Sequence, residues 1–393
     1  MTRPPAWRTD VDFSLTSEQL ALQDSVRSLM KRTAPPEVVR ACEREGRFPD
    51  DLFQAWVEVG LLALPFPSSV GGLDGNAIDL AIVAEEIARV SPDLAMSYGG
   101  TVLCGLNLLR HGTDEQVATW IPRVVQGEVK FSVGISEPDA GSDALAMRTK
   151  ARQSGDGWVI DGQKLWTTGA GLPDGVINVY ARTSGKRSER EGISVFLVDN
   201  DTPGVHLRKL DMLSRRSSGT YEVVLDGVEV PSERLVGQEG NGWSCLTSGL
   251  QIERTLAAAN SVGGSQAVVD LAVAYAKERT QFGKPIGTFQ AIGHTLADMQ
   301  TEVDAARLMM WRAAWLTAEG RKALKEITMA KLIAGETFAK VAGHGVQVMG
   351  AYGLNAEFDM ERFFRDARSS TIAAGSSQTQ RNLIAGLMGF KQR

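Results

Sequence analysis

The stretch Trp158–Trp166, WVIDGQKLW, alternates apolar and polar residues on either side of Asp161-Gly162, so it reads as two strand segments joined by a tight turn. The same pattern recurs in VINVYAR (176–182), ISVFLVD (193–199), VHLRKL (205–210) and YEVVLDGVEVP (221–231), the last with a second Asp-Gly at 226–227. Short runs at such spacing predict a small β barrel or sandwich over about 131–235. Both flanks are helical in pattern. Upstream, Thr16 and Gln19 form a capping box ahead of Leu22, Val26, Leu29 and Met30, and Pro35-Pro36 ends that helix. Further helices are expected at 50–62 and 78–90, and after Thr113, where Pro122 should break the helix. Downstream, segments 243–280, 287–319 and 323–349 are long, Ala-rich and amphipathic. The expected fold class is therefore α+β in three domains: an all-α domain (1–130), a central β domain (131–241) and a four-helix-bundle-like domain (242–393). Strands and helices do not alternate, no G-x-G-x-x-G follows a strand, and no P-loop or G-x-S-x-G elbow is present.

The composition narrows the function classes. Of 393 residues, 43% are apolar and 23% charged, ordinary values for a chain with a well-developed core. A net charge of −5 disfavours coating nucleic acid or anionic membranes, which calls for surplus Lys and Arg. The three cysteines (Cys42, Cys104, Cys245) form no C-x-x-C pair and fit a reducing compartment. The four histidines are scattered, so no metal site is expected. The uncharged run Leu94–Leu109 is too short for a membrane span, and MTRPPAWRTD lacks the apolar core of a leader, which together predict a cytoplasmic protein. The 41 glycines point to tight turns and close approach to a ligand.

A set of blocks goes further. FSVGISEPDAGSD (131–143), WTTGA (166–170), ERTQFGKPIGTFQ (278–290), QVMGAYG (347–353) and RFFRDARSSTIAAGSSQ (362–378) resemble, in order and spacing, those of the acyl-CoA dehydrogenase family. GTDEQ (112–116), with Pro122 and Gly127-Glu128 after it, is similar too. The resemblance implies FAD between the β domain and the C-terminal bundle. On one side it implies flavin contacts from Ile135, Ser136, Gly141, Ser142, Trp166, Thr168, Ser376 and Gln378. From a neighbouring subunit it implies Arg279, Gln281 and Phe282 at the pyrophosphate, and, partly across the same interface, Gln290, Gln347 and Gly350 at the nucleotide half. A homo-oligomer, dimer or tetramer, follows from that division. A guanidinium suits this role because it offers paired donors to phosphate oxygens.

The chemistry needs a carboxylate over the substrate's α-carbon. Many relatives carry Glu before the Gly of an EGTS-like turn, whereas this chain has Ala374 in Ala373-Ala374-Gly375-Ser376. Glu253, in GLQIERT, resembles the base of isovaleryl-CoA and long-chain acyl-CoA dehydrogenases, which place Glu in this helix. Adjacent helical residues point about 100° apart, so Glu253 can face a flavin while Arg254 contacts substrate. Ser142, Arg254 and the backbone of Ala374 and Gly375 are the expected substrate contacts. Ala351 replaces the second glycine of the usual pair, and Ser376 replaces a common Thr while keeping the hydroxyl.

The expected function is FAD-dependent α,β-dehydrogenation of an acyl-CoA thioester, with electrons leaving to an electron-transfer flavoprotein. Three alternatives remain open: a non-catalytic or partner-dependent subunit of a heteromeric dehydrogenase, favoured by Ala374; a carrier-protein-linked or oxidase relative; and enoyl reduction in the reverse direction. In isolation, each motif residue also has a plainer reading: the EPDAGSD loop as a turn, Trp166 as core, Arg279 as a solvated charge and Glu253-Arg254 as a surface pair.

Overall fold

The computed structural model describes residues 14–49 and 51–390, so the amino-terminal stretch read above for a leader lies outside the described residues. Thr16 and Gln19 exchange the two hydrogen bonds of the capping box, at 3.2 and 3.1 Å, and start α1 (Ser17–Thr33). Pro36 then opens α2 (Pro36–Glu45), using a first-turn position where its missing N–H is not needed. α3 (Leu52–Glu58) is shorter than the 50–62 helix expected. α4 (Ala77–Val90), α5 (Pro92–His111) and α6 (Asp114–Val125) follow. α5 contains the uncharged run of the sequence, and it is largely buried. Thr113 caps α6 as expected, but Pro122 does not end it. Proline removes a single hydrogen bond there, while Ile121 and Val124 on either side are fully buried, so packing outweighs the lost bond. Among the described residues no helix is long and apolar enough to cross a membrane.

The central β unit is one seven-stranded sheet. Its strands are β1 (Lys130–Gly134), β2 (Lys150–Ser154), β3 (Gly157–Thr168), β4 (Gly175–Arg182), β5 (Ile193–Asp199), β6 (Val205–Lys209) and β7 (Thr220–Pro231). The order is β1-β4-β2-β3-β7-β6, with β5 on the other edge of β4. The expected turn at Asp161-Gly162 is corrected by this topology. β3 runs unbroken through it, and the tight turn is Gly155-Asp156, between β2 and β3. The two Asp-Gly pairs lie opposite each other, where pairing steps from Ile160↔Val228 to Gly162↔Leu225 and leaves β7 one residue longer. Asp161 Oδ1 accepts from the Gly227 N–H at 2.8 Å across this bulge. Asp-Gly supplies the left-handed residue (Gly227, φ +60°) that bulge and turn alike require, so the dipeptide alone does not distinguish them.

The last part is built on α7 (Gly242–Glu278), a 37-residue helix. The two-residue strands β8 (Thr280–Gln281) and β9 (Lys284–Pro285) form a ribbon after it. Next come α8 (Gln290–Ala318), α9 (Leu324–Met349), α10 (Asp359–Ser369) and α11 (Ser377–Leu387). α7 packs against α4, α5, α8 and α9 at once, which explains why it is apolar on several faces. Gly263 and Gly264 permit that crowding: a Cβ at 263 would lie 2.2 Å from the Glu85 carbonyl, and one at 264 would lie 2.5 Å from the Phe338 ring. Arg365 on α10 pairs with Glu43 on α2 at 2.8 Å, tying the two helical parts together.

Candidate functional site

α7 carries Glu253 and Arg254 past the turn between α10 and α11. Arg254 is buried, and its Nε donates to the Ala374 carbonyl at 3.3 Å. Gln380 Nε2 donates to the same oxygen at 3.2 Å and to the Gly375 carbonyl at 2.9 Å. Lys331 Nζ donates to the Gly375 carbonyl at 2.6 Å and to that of Ser370 at 3.2 Å. These donors hold two consecutive left-handed residues, Ala374 (φ +56°) and Gly375 (φ +87°). For alanine that conformation costs about 1 kcal/mol, so the surroundings must impose it. With their carbonyls engaged, the N–H groups of Ala374 and Gly375 meet no acceptor among the described residues. Ser376 then caps α11 by accepting from the Thr379 N–H at 3.2 Å. Arg254, Ala374, Gly375 and Ser376 are thus brought together, with Glu253 next to Arg254 along α7, and Gln378 stands exposed in the first turn of α11.

Glu253 forms one wall of a cleft between α5, α7 and the sheet, facing Cys104, Asn107, Ile135, Tyr180 and Leu250. Burial pushes its carboxyl above the ordinary value of 4.5, while Arg254, Arg215 and Lys331 pull the other way without cancelling the rise. Burial lowers Lys331 to about 8, against an upward pull from Glu253. The cleft therefore holds a carboxyl biased toward protonation, on which Arg254, Arg215 and Lys331 act from behind its lining.

The loop after β1 is fixed by a buried ion pair. Lys164, on β3, donates to Glu137 at 2.7 Å and to the Ile135 carbonyl at 3.2 Å. Glu137 also accepts from the backbone N–H groups of Arg148 and Thr149 at 2.5 and 3.0 Å. The Ser136 carbonyl accepts from the Leu165 N–H at 2.9 Å. Ile135 and Ser136 are held at the base of this loop, and Gly141 and Ser142 are exposed at its tip. Trp166 has φ +64° and is 55% exposed, an unusual state for a large aromatic on a strand. Thr168 Oγ1 lies 3.3 Å from Thr220 Oγ1 and accepts from Arg215 Nη1 at 3.3 Å.

The remaining expected residues form a second group. The Arg279 guanidinium lies 5.6 Å from the centre of the Tyr352 ring, and the Phe282 ring is 6.0 Å from that of Phe289. Phe282 is 91% exposed at φ +51°. Gln281, Gln290, Gln347 and Gly350 are exposed as well, and nothing lies within 4 Å of where a Gly350 Cβ would be. α7 separates the two groups. From Glu253 to its last residue, Glu278, the helix rises about 38 Å at 1.5 Å per residue. One chain does not bring both groups to one place.

Sequence reasoning missed Lys164, Glu137, Lys331, Gln380 and Arg215. A lysine at a core-facing position of β3 was a usable signal for the first pair, since a buried ammonium demands a partner. Arg215-Arg216 reads as a solvated loop, and nothing local marks Lys331 or Gln380.

Sequence models of the acyl-CoA dehydrogenase N-terminal, middle and C-terminal domains match residues 16–128, 132–228 and 240–388. The chain is 38% identical to the probable acyl-CoA dehydrogenase YngJ of Bacillus subtilis, over 95% of this chain and 99% of that protein. It is 35% identical to subunit CarC of the caffeyl-CoA reductase-Etf complex of Acetobacterium woodii, over 92% and 96%. Butyryl-CoA dehydrogenase from Megasphaera elsdenii superposes with a TM-score of 0.92 at 30% identity, covering 97% of this chain and all of that one. With three consecutive domain models and full-length relatives in agreement, the chain belongs to the acyl-CoA dehydrogenase family of FAD-dependent oxidoreductases.

Proposed function

We propose that this protein dehydrogenates an acyl-CoA thioester between Cα and Cβ to give the trans-2-enoyl-CoA, with Glu253 as the base that removes the α-proton. The observation that carries this reading is the Glu253 carboxyl itself. It sits in an apolar-walled cleft with its pKa raised, next to the Arg254 that fixes the Ala374-Gly375 turn. A base with a pKa closer to the working pH transfers protons more effectively than an ordinary surface carboxylate. The N–H groups of Ala374 and Gly375 are the donors we assign to the thioester carbonyl, where they would stabilise charge developing as the α-proton leaves. Losing the side chain at 374 does not remove such a donor. Ser142 and Arg254 complete the substrate contacts.

The residues present fit FAD. Trp166 offers an exposed ring, Thr168 and Ser376 offer hydroxyls, and the strapped loop carrying Ile135, Ser136, Gly141 and Ser142 offers backbone donors, with Gln378 beside them. When bound, the flavin supplies the acceptor for the β-hydride. Arg279, Gln281, Phe282, Gln290, Gln347 and Gly350 are suited to the pyrophosphate and nucleotide end. Because Arg279 follows the end of α7, some 38 Å along that helix from Glu253, and stacks on Tyr352 beside Gly350, we assign this group to the site of a second copy, making the working unit at least a dimer and fitting a tetramer. An electron-transfer flavoprotein is the acceptor we favour, and the buried free thiols of Cys104 and Cys245 fit a reducing cytoplasm.

The test is anaerobic titration of the purified protein with straight-chain and branched acyl-CoA esters, following the visible flavin band. Bleaching by at least one ester, with enoyl-CoA formed in equal amount, is expected. A flavin-bearing protein that no ester bleaches, or a protein without flavin, would overturn the reading.

A further inference from the structure

A second cleft lies beyond Glu253, bounded by Met96 of α5, Ala257 and Ser261 of α7, and Ala373 and Ala374 of the turn. Ala257 is one helical turn from Glu253 and Ser261 two turns, so an acyl chain whose carbonyl meets the 374–375 turn would extend into this space. Its far wall is polar. Asp93, 4% exposed, accepts through Oδ2 from the N–H groups of Ser217 and Ser218 at 2.8 and 3.3 Å. Asp366, 3% exposed, accepts through Oδ1 from the Arg215 N–H at 3.3 Å. Together these carboxyls hold the loop that bears Arg215 at φ +60°. One polar atom of each of the three residues is left over: Asp93 Oδ1, Asp366 Oδ2 and Arg215 Nε are buried with no hydrogen-bond partner among the described residues.

We infer that Arg215, Asp93 and Asp366 select an acyl group bearing a hydroxyl on the part of its chain beyond the β-carbon. This rests on the dehydrogenase reading given above and names the substrate class for that site. An alkyl chain would bury one donor and two acceptors with nothing to bond. A hydroxyl meets two of the three, because its oxygen accepts from Arg215 Nε and its O–H donates to one of the carboxyl oxygens. A carboxylate-ended chain matches less well, since it would add a third carboxyl to two that only the Arg215 and Arg362 guanidiniums oppose. Burial and the neighbouring Asp93 already push Asp366 up to about 7. A ketone could accept but would leave both carboxyl oxygens bare.

The experiment uses the flavin-loaded full-length protein and measures kcat/KM, with anaerobic bleaching as a second readout. The probes are hexanoyl-CoA, its 4-, 5- and 6-hydroxy derivatives, and adipyl-CoA. One hydroxyhexanoyl ester is expected to exceed hexanoyl-CoA at least tenfold. In Arg215→Met that ratio should fall toward one, chiefly through KM, and Asp93→Asn is the second variant should Arg215→Met lose flavin. Hexanoyl- or adipyl-CoA outpacing every hydroxy ester would overturn the inference and leave the dehydrogenase reading standing, with ordered water the remaining partner for these atoms. A ratio unchanged in both variants would do the same. Failure of all the esters to bleach the flavin would overturn both.

Discussion

Arg254 donates to the carbonyl of Ala374 at 3.3 Å, so the residue following the proposed base on α7 fixes the backbone that we assign to the thioester. One helix therefore sets the spacing between proton acceptor and oxyanion donors. Arg254→Ala removes a buried side chain, leaving the turn to Gln380 and Lys331. Loosened geometry at a reacting centre costs on the order of 100-fold. We expect kcat/KM to fall by about that factor with flavin content retained, as measured by steady-state kinetics and the visible spectrum. Full activity in Arg254→Ala would remove the turn from the mechanism.

Glu253 must be ionised to accept a proton, and its pKa is raised by burial. The limb of kcat/KM that rises with pH should therefore lie above the ordinary carboxylate value of 4.5. Lys331 is one of the charges that oppose the rise. Lys331→Met takes away a positive neighbour, disfavours the carboxylate and should move the limb to still higher pH, whatever it does to the rate. A limb that stays in place or moves down in a pH–rate profile would contradict the assignment.

The Lys164–Glu137 pair is buried on both sides, with side-chain exposures of 0 and 5%. Removing one partner strands the other charge, at a typical cost of about 3–5 kcal/mol. Lys164→Met should lower the unfolding midpoint and weaken flavin retention by freeing the 135–143 loop. Glu137→Gln combined with it should recover part of the stability, as read by thermal denaturation of both proteins. Equal midpoints for wild type and Lys164→Met would show that the pair does not hold the loop.

The residues found easily in the sequence were those whose role is local. Thr16, Gln19 and Thr113 act within one turn, and the apolar runs of β3, β4, β5 and β7 report burial directly. Asp161-Gly162 misled because a bulge and a turn need the same backbone freedom, and only the partner strand decides between them. Pro122 misled because burial of its neighbours is a tertiary fact. Around the site, Glu253 and Arg254 were legible only as a resemblance, since as a dipeptide they look like a surface pair. Lys331, Gln380, Asp93 and Asp366 were not legible, because each is buried by segments distant in the chain.

A site shared between two copies makes a complementation prediction. Arg279→Gln should lose flavin, and Glu253→Gln should keep it but be inactive. Co-folding the two variants creates interfaces in which one site takes Glu253 from one copy and Arg279 from the other. Mixed oligomers should regain a substantial fraction of activity, about a quarter for random dimers if sites act independently. Activity no higher than the parent variants, in oligomers verified as mixed, would place both residues in a site built by one chain.

The most direct test of the central claim is stopped-flow bleaching of the flavin band by the best ester, in wild type and Glu253→Gln. The account predicts that the substitution slows the reductive step by about a thousandfold or more, within the range that a positioned base contributes, while flavin content and ester affinity are retained. A Glu253→Gln protein that bleaches within tenfold of the wild-type rate would contradict it.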